Sequence, residues 1–158
     1  MARGSQQWMR QAIDLAVENV RSGKGGPFGA VIVKQNQIIA TGVNSVTATN
    51  DPTAHAEIAA IRSACRALDS FQLDGCELYT SCEPCPMCLG AIYWARLATY
   101  YFACTRTTAT EAGFDDAFIY DQLHLRTEDR AIPGHCFLID GSSAPFVEWA
   151  QSLQKQRY

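Results

Sequence analysis

The hydrophobic period of this chain switches between helical and extended several times, in runs too short for a membrane span or a structural repeat. Trp8, Met9, Ala12, Ile13, Ala16, Val17 and Val20 share one helical stripe, with Ser5 placed to cap it. The stripe ends at Gly23-Lys24-Gly25-Gly26-Pro27, which no helix survives. Residues 30–33 and 38–40 then flank Gln35-Asn36-Gln37 as a β-hairpin. A polar stretch, 44–52, leads into a helix carrying Ala56, Ile58, Ala59, Ile61 and Leu68, followed by a short strand at 76–80. A second helix is expected from Pro84, since proline is tolerated in a first turn, and the aromatic-rich residues 98–104 read as a strand. Residues 135–140 are expected as a fifth strand and 145–156 as a terminal helix capped by Ser142 or Ser143. This order predicts an α/β fold: a three-layer α/β/α sandwich on a mixed sheet of about five strands. The first hairpin is antiparallel, and the later strands run parallel through crossover helices. With 158 residues and no linker, the chain is expected to form one domain, 1–158.

Charge and cysteine usage remove other classes of protein. Lys+Arg total 13 against 16 Asp+Glu, a net charge of −3, and no basic stripe is present. From Thr107 onward eight acids face four bases. That balance argues against a nucleic-acid partner, which would demand phosphate contacts. The first eight residues lack the apolar run of a leader, so a soluble, cytoplasmic protein with no membrane partner is expected. Seven cysteines, an odd number in a chain of this size, do not make a disulfide framework.

The cysteines are better explained by two segments, Thr53-Ala54-His55-Ala56-Glu57 and Ser81-Cys82-Glu83-Pro84-Cys85-Pro86-Met87-Cys88. Cys85 and Cys88, three apart at a helix start, face one way and ionise readily. With His55 they make three ligands suited to zinc, and three protein ligands leave a fourth position for water, as in catalytic sites. Glu57 lies two residues from His55, a spacing at which side chains diverge on a helix and do not share one ion, but it is placed to take a proton from that water. A redox dithiol is one alternative, and it would leave His55 and Glu57 unexplained. A structural site using Cys82 as fourth ligand is another; Cys82 sits at a strand end and reads instead as a small buried or pocket-wall residue. Cys65, Cys76, Cys104 and Cys136 fall in apolar segments and are expected in the core.

His-Ala-Glu followed by Pro-Cys-x-x-Cys resembles the signature of the cytidine deaminase-like zinc deaminases. The wider match is similar to the short bacterial guanine deaminases. It is carried by Gly25-Gly26-Pro27-Phe28-Gly29-Ala30, Asn50-Asp51-Pro52-Thr53-Ala54-His55-Ala56-Glu57, the run Cys82-Glu83-Pro84-Cys85-Pro86-Met87-Cys88-Leu89-Gly90-Ala91-Ile92-Tyr93-Trp94-Ala95-Arg96, and Glu111-Ala112-Gly113-Phe114-Asp115-Asp116. The likeness loosens after about Arg126. The resemblance implies the cytidine deaminase-like fold and hydrolysis of guanine at C2 to xanthine and ammonia. It implies one zinc ion per subunit on His55, Cys85 and Cys88, with a bound catalytic water whose proton Glu57 relays to the purine ring. Asp116 then stands beside the leaving amine, with Asp115 as its neighbour; a carboxylate accepts from the N–H donors along guanine's edge. The resemblance also makes Tyr158 a residue that closes the pocket, in a homodimer whose segments from about 132 to 158 are exchanged.

Four further substrate contacts are expected, three of them beside a plainer role. Phe28 stacks on the purine or packs in the core. Asn44 reads ring edges through its amide or stabilises a turn. Ala56 offers its backbone N–H to a developing charge. Trp94 is pocket wall or core. The same metal core serves deaminases of guanosine, cytosine or tRNA adenosine, and a non-catalytic zinc-binding module would keep its function when Glu57 becomes glutamine.

Overall fold

Strand β1 (Gly29–Lys34) is covered on both faces, and its alternating side chains set the layers. Val31 and Val33 pack with Ala12 of helix α1 (Gln6–Arg21), joined by Trp8, Met9 and Leu15. Ala30 and Ile32 point the other way, to Ala56, Ala60, Ile61 and Ala64 of α3 (Ala56–Leu68) and Ile92 of α4 (Pro86–Trp94). This computed structural model describes residues 5–158. The chain falls into two units, one running to Tyr120 and the other Asp121–Tyr158.

In the first unit β1 lies antiparallel to both β2 (Gln37–Val43) and β3 (Cys76–Cys82), and β4 (Thr99–Cys104) runs parallel to β3, in the order β2-β1-β3-β4. The parallel pair follows from α4, which crosses between β3 and β4. The α/β/α sandwich is therefore as expected, on a mixed sheet of four strands rather than five. A one-turn helix, α2 (Val46–Thr49), interrupts the polar stretch after β2. Gly42 governs how closely α3 approaches the sheet: a Cβ there would lie 2.2 Å from the Ala56 carbonyl oxygen. The bare glycine lets the first turn of α3 rest on β2.

Three expectations are corrected here. Helix α4 begins at Pro86, not Pro84, because a residue before proline is driven out of the helical region, and Cys85 accordingly has ψ 168° as its N-cap. Cys104 and Cys136 are exposed, whereas Cys76 and Cys82 are buried and Cys65 is half-buried. Residues 135–140 are exposed and form no strand. Phe137, Leu138 and Ile139 supply an apolar run, but a strand also needs a neighbour for its backbone groups.

Helix α5 (Arg106–Glu111) and α6 (Asp116–Leu123) follow β4. The 121–158 unit holds a 3₁₀ turn at Thr127–Asp129, braced by Arg126 on Asp129 at 2.8 Å, and helix α7 (Ala144–Gln151), shorter than expected. Ser143 occupies the α7 N-cap without a side-chain bond, while Ser142 bonds back to Ile139. No helix among the described residues is long and apolar enough to cross a membrane.

Candidate active site

Two helix starts deliver the metal-ligating groups. Residues before α3 are held by Asp51, whose carboxylate accepts from the Thr53 N–H at 2.8 Å and the Thr53 hydroxyl at 2.7 Å. The chain then turns through Ala54, bonded to Asp51, and His55 becomes the extended N-cap of α3. Cys85 holds the same position on α4, and Cys88 follows in its first turn. His55 Nδ1 is 3.6 Å from Cys85 Sγ and 3.5 Å from Cys88 Sγ, and the three donor atoms all lie within 4.8 Å of one another. A tetrahedral zinc ion needs a sulfur and a nitrogen ligand about 3.5 Å apart, from bond lengths near ~2.3 and ~2.0 Å. The donor set and its spacing fit zinc. Cys82 lies outside this group: its thiol points at the Thr105 carbonyl at 3.6 Å, and burial pushes its pKa up to about 11.

Electrostatics follow from burial and from this crowding. The Cys88 thiol beside it holds Cys85 down at about 4 against the opposing effect of burial, with His55 helping. Cys88, the donor of that pair, is pushed up for the same reason. His55 is raised by its bond to Cys85. Glu57 is 5% exposed, and desolvation pushes its carboxyl above the usual range. Its Oε2 stands 3.5 Å from Cys88 Sγ, and its Oε1 accepts from the Thr80 hydroxyl at 3.2 Å. Glu57 is thus beside the three ligands without joining them, as its spacing from His55 requires.

A cavity of about 810 Å³ opens in front of this group. His55, Glu57, Glu83 and Cys85 line one side; Gly25, Gly26, Phe28, Asn44 and Thr47 line another, and Phe114 to Asp116, Phe118 and Ile119 face them. Phe28 meets Phe114 edge-on, ring centres 4.8 Å apart, so it is both cavity wall and packed ring. Asn44 likewise lines the cavity and stabilises a turn. Its Oδ1 accepts from the Gly26 and Val46 N–H groups at 3.3 and 3.4 Å, which directs the donor end of its amide elsewhere. Asp116 is half-buried at the first turn of α6, and burial together with the nearby Cys85 raises its pKa; Asp115 is exposed.

The other expected contacts are placed differently. Ala56 is buried and does not line the cavity, although its N–H opens α3, where no intrahelical acceptor exists. Trp94 ends α4 at 61% exposure, which rules out the core reading, and it is not in the lining of this cavity. Helix α4 is apolar nearly all round, so its residue pattern offered no reason to choose a face. Tyr158 lies in the 121–158 unit, 69% exposed. Sequence reasoning missed two buried polar residues. Thr80 holds Glu57, and Asn19 of α1 donates to the Gly26 carbonyl at 2.9 Å and the Asn44 carbonyl at 2.8 Å, tying the two loop segments of the cavity wall together.

Known proteins share this arrangement. Residues 3–104 match the family described as the cytidine and deoxycytidylate deaminase zinc-binding region. The chain is 54% identical over 151 residues to guanine deaminase of Bacillus subtilis (strain 168), covering 96% of this chain and 97% of that protein. An X-ray structure of guanine deaminase from Bacillus subtilis superposes with a TM-score of 0.96 at 52% identity, covering 99% of each chain. A structure of guanine deaminase from Nitrosomonas europaea gives a TM-score of 0.66 at 33% identity, over 73% of this chain and 68% of that one. The tRNA-specific adenosine deaminase of Aquifex aeolicus (strain VF5) is 49% identical over only 77 residues, 49% of this chain and 51% of that protein.

Proposed function

Because the chain belongs to the cytidine and deoxycytidylate deaminase zinc-binding family, and within it to the guanine deaminases, we propose that its cavity hydrolyses guanine to xanthine and ammonia with one zinc ion per subunit. The observation that carries this reading is Glu57, a buried carboxylate 3.5 Å from a ligand sulfur and outside the ligand set. His55, Cys85 and Cys88 hold the ion. Zinc supplies the Lewis acidity that makes water a nucleophile near neutral pH.

The remaining work falls to side chains. Glu57 takes the proton of the attacking water on the oxygen facing the metal side and passes it to the ring nitrogen beside C2. Burial favours its protonated form, so it can carry that proton through the cycle. The second proton of the same water, left on the hydroxyl added at C2, passes by way of Glu57 to the amino group, which leaves as ammonia as the carbon–nitrogen bond breaks and the C2 carbonyl forms. Asp116, in the cavity wall, is the acceptor for the N–H groups of the purine edge. Phe28, paired with Phe114, gives the flat ring an aromatic wall. Asn44 offers amide donors to ring acceptors, since its oxygen is already engaged. The Ala56 N–H, without an intrahelical acceptor at the start of α3, is the donor this reading gives to the developing charge.

The same proposal takes 1–158 as one working domain in the cytoplasm. Two copies form a homodimer by exchanging the segment from about 132 to 158, with Tyr158 as a further substrate contact. Support comes from the exposed apolar side chains of that segment, Ile132, Phe137, Leu138 and Phe146 among them. The deciding experiment measures xanthine formed from guanine and zinc per chain on one sample. Turnover with one zinc per chain is expected. A fully loaded sample that leaves guanine intact and converts an adenosine-containing anticodon stem-loop overturns the assignment.

A further inference from the structure

We infer that Thr80, on strand β3, is a positioning residue for Glu57, its hydroxyl anchoring one carboxylate oxygen so that the other is left aimed at the reacting water and base. The inference rests on the proton-transfer role proposed for Glu57.

Successive side chains of β3 point to opposite faces of the sheet. Tyr79 packs with Ala12, Val31 and Val33 on the α1 side. Thr80 therefore faces α3, pairing across the ladder with Ala30 of the core on that side. It is 1% exposed, and its Oγ1 donates to Glu57 Oε1 at 3.2 Å in a fully buried contact. Glu57 Oε2 lies toward the metal ligands, 3.5 Å from Cys88 Sγ. The two oxygens of one carboxylate are thus divided between a strand and a reaction site.

That division matters because glutamate has three rotatable side-chain bonds, and a proton-transfer group must be held within a fraction of an ångström of its working geometry. Once Cys88 ligates zinc as a thiolate it can no longer donate to Oε2. Thr80 is then the protein hydroxyl that holds the carboxylate from behind. Valine has nearly the same shape as threonine and would suit an apolar layer equally well, so the hydroxyl is the informative feature of this position. Neighbouring Ser81 is engaged elsewhere, accepting from the Gly29 N–H at 3.1 Å.

The test uses Thr80→Val, the pair Thr80→Ser and Thr80→Ala, and Glu57→Gln, each in the zinc-loaded full chain. The Ser and Ala variants both lack the methyl group and differ only in the hydroxyl, so their ratio stands even if the Val variant folds poorly. We expect Thr80→Ala and Thr80→Val to lower kcat by about ten- to a hundredfold with KM, zinc content and calorimetric affinity for xanthine unchanged. Thr80→Ser should recover kcat to within a few-fold. In the Glu57→Gln background the Ser/Ala ratio should collapse to one, a non-additivity that a merely structural threonine would not produce. Equal kcat for Thr80→Ser and Thr80→Ala, with Glu57→Gln inactive, overturns this inference alone. An active Glu57→Gln overturns the proton-transfer reading beneath it.

Discussion

The cavity has two sides of opposite construction. On the metal side, His55, Glu57, Cys85 and Cys88 come from the first turns of two helices packed on a central sheet, and Glu57 and both cysteines are buried. On the facing side, Asp115, Phe118 and Ile119 are exposed and Asp116 is half-buried at the start of α6. One side holds its three donor atoms within 4.8 Å of one another; the other has few buried contacts to hold it. The difference teaches a division of labour. On the proposed reading, bond-making chemistry belongs to the tightly packed side and recognition to the side with fewer buried contacts.

The strongest way to break this comparison is Glu57→Gln. The amide keeps the shape but cannot take a proton, so kcat for guanine should fall by roughly 10²–10⁴-fold while zinc per chain stays at the wild-type value. Loss of zinc along with turnover would make Glu57 a structural part of the metal side instead. Asp116→Asn tests the facing side. It removes the acceptor-only group, so kcat/KM should drop on the order of a hundredfold, again with zinc retained. An Asp116→Asn variant that sheds its zinc would abolish the distinction between the two sides.

The metal side was legible in the sequence because each half is a short local pattern: His55 and Glu57 two apart, Cys85 and Cys88 three apart. The layer order was legible for a similar reason, since periodicity is local. Much of what failed depends on a distant partner. Residues 135–140 are apolar enough for a strand, yet pairing requires a neighbour that no run of residues announces. The sequence expects α4 from Pro84, and the extended backbone of Cys85 before Pro86 sets its start two residues later. Thr80 and Asn19 are ordinary residues in their own segments, and their bonds to Glu57 and Asn44 span 23 and 25 positions.

Asn19 gives a finer probe of the loop segments between the two sides. Its amide donates to two carbonyls, and truncation to alanine takes that donor from the buried Asn44 carbonyl and leaves the Gly26 carbonyl with the Phe28 N–H. We expect Asn19→Ala to cost about 1–3 kcal/mol in urea unfolding. KM for guanine should rise several-fold with kcat preserved, because Asn44 and Gly26 shape the wall without carrying protons. A fall in kcat at constant KM would place these segments with the metal side.

The smallest effect comes from the other face of β3, one residue from Thr80. The Tyr79 hydroxyl donates to Glu77 at 2.8 Å and accepts from the Ser5 N–H at 3.1 Å, and burial foremost pushes its pKa from 10.0 up to about 12. A group whose folded pKa is raised keeps its full contribution below the unfolded value and loses it as pH climbs through the folded one. Wild-type stability should therefore decline between pH 10 and about 12, and Tyr79→Phe should remove that part of the decline. Thermal melts across this range read the difference directly. Near neutral pH the same variant should deaminate guanine at the wild-type rate with its zinc intact, because adjacent residues of a strand serve opposite layers. A neutral-pH loss of turnover in Tyr79→Phe would mean that the α1 layer reaches the chemistry through β3, and the rigidity assigned to the metal side would then belong to the whole strand.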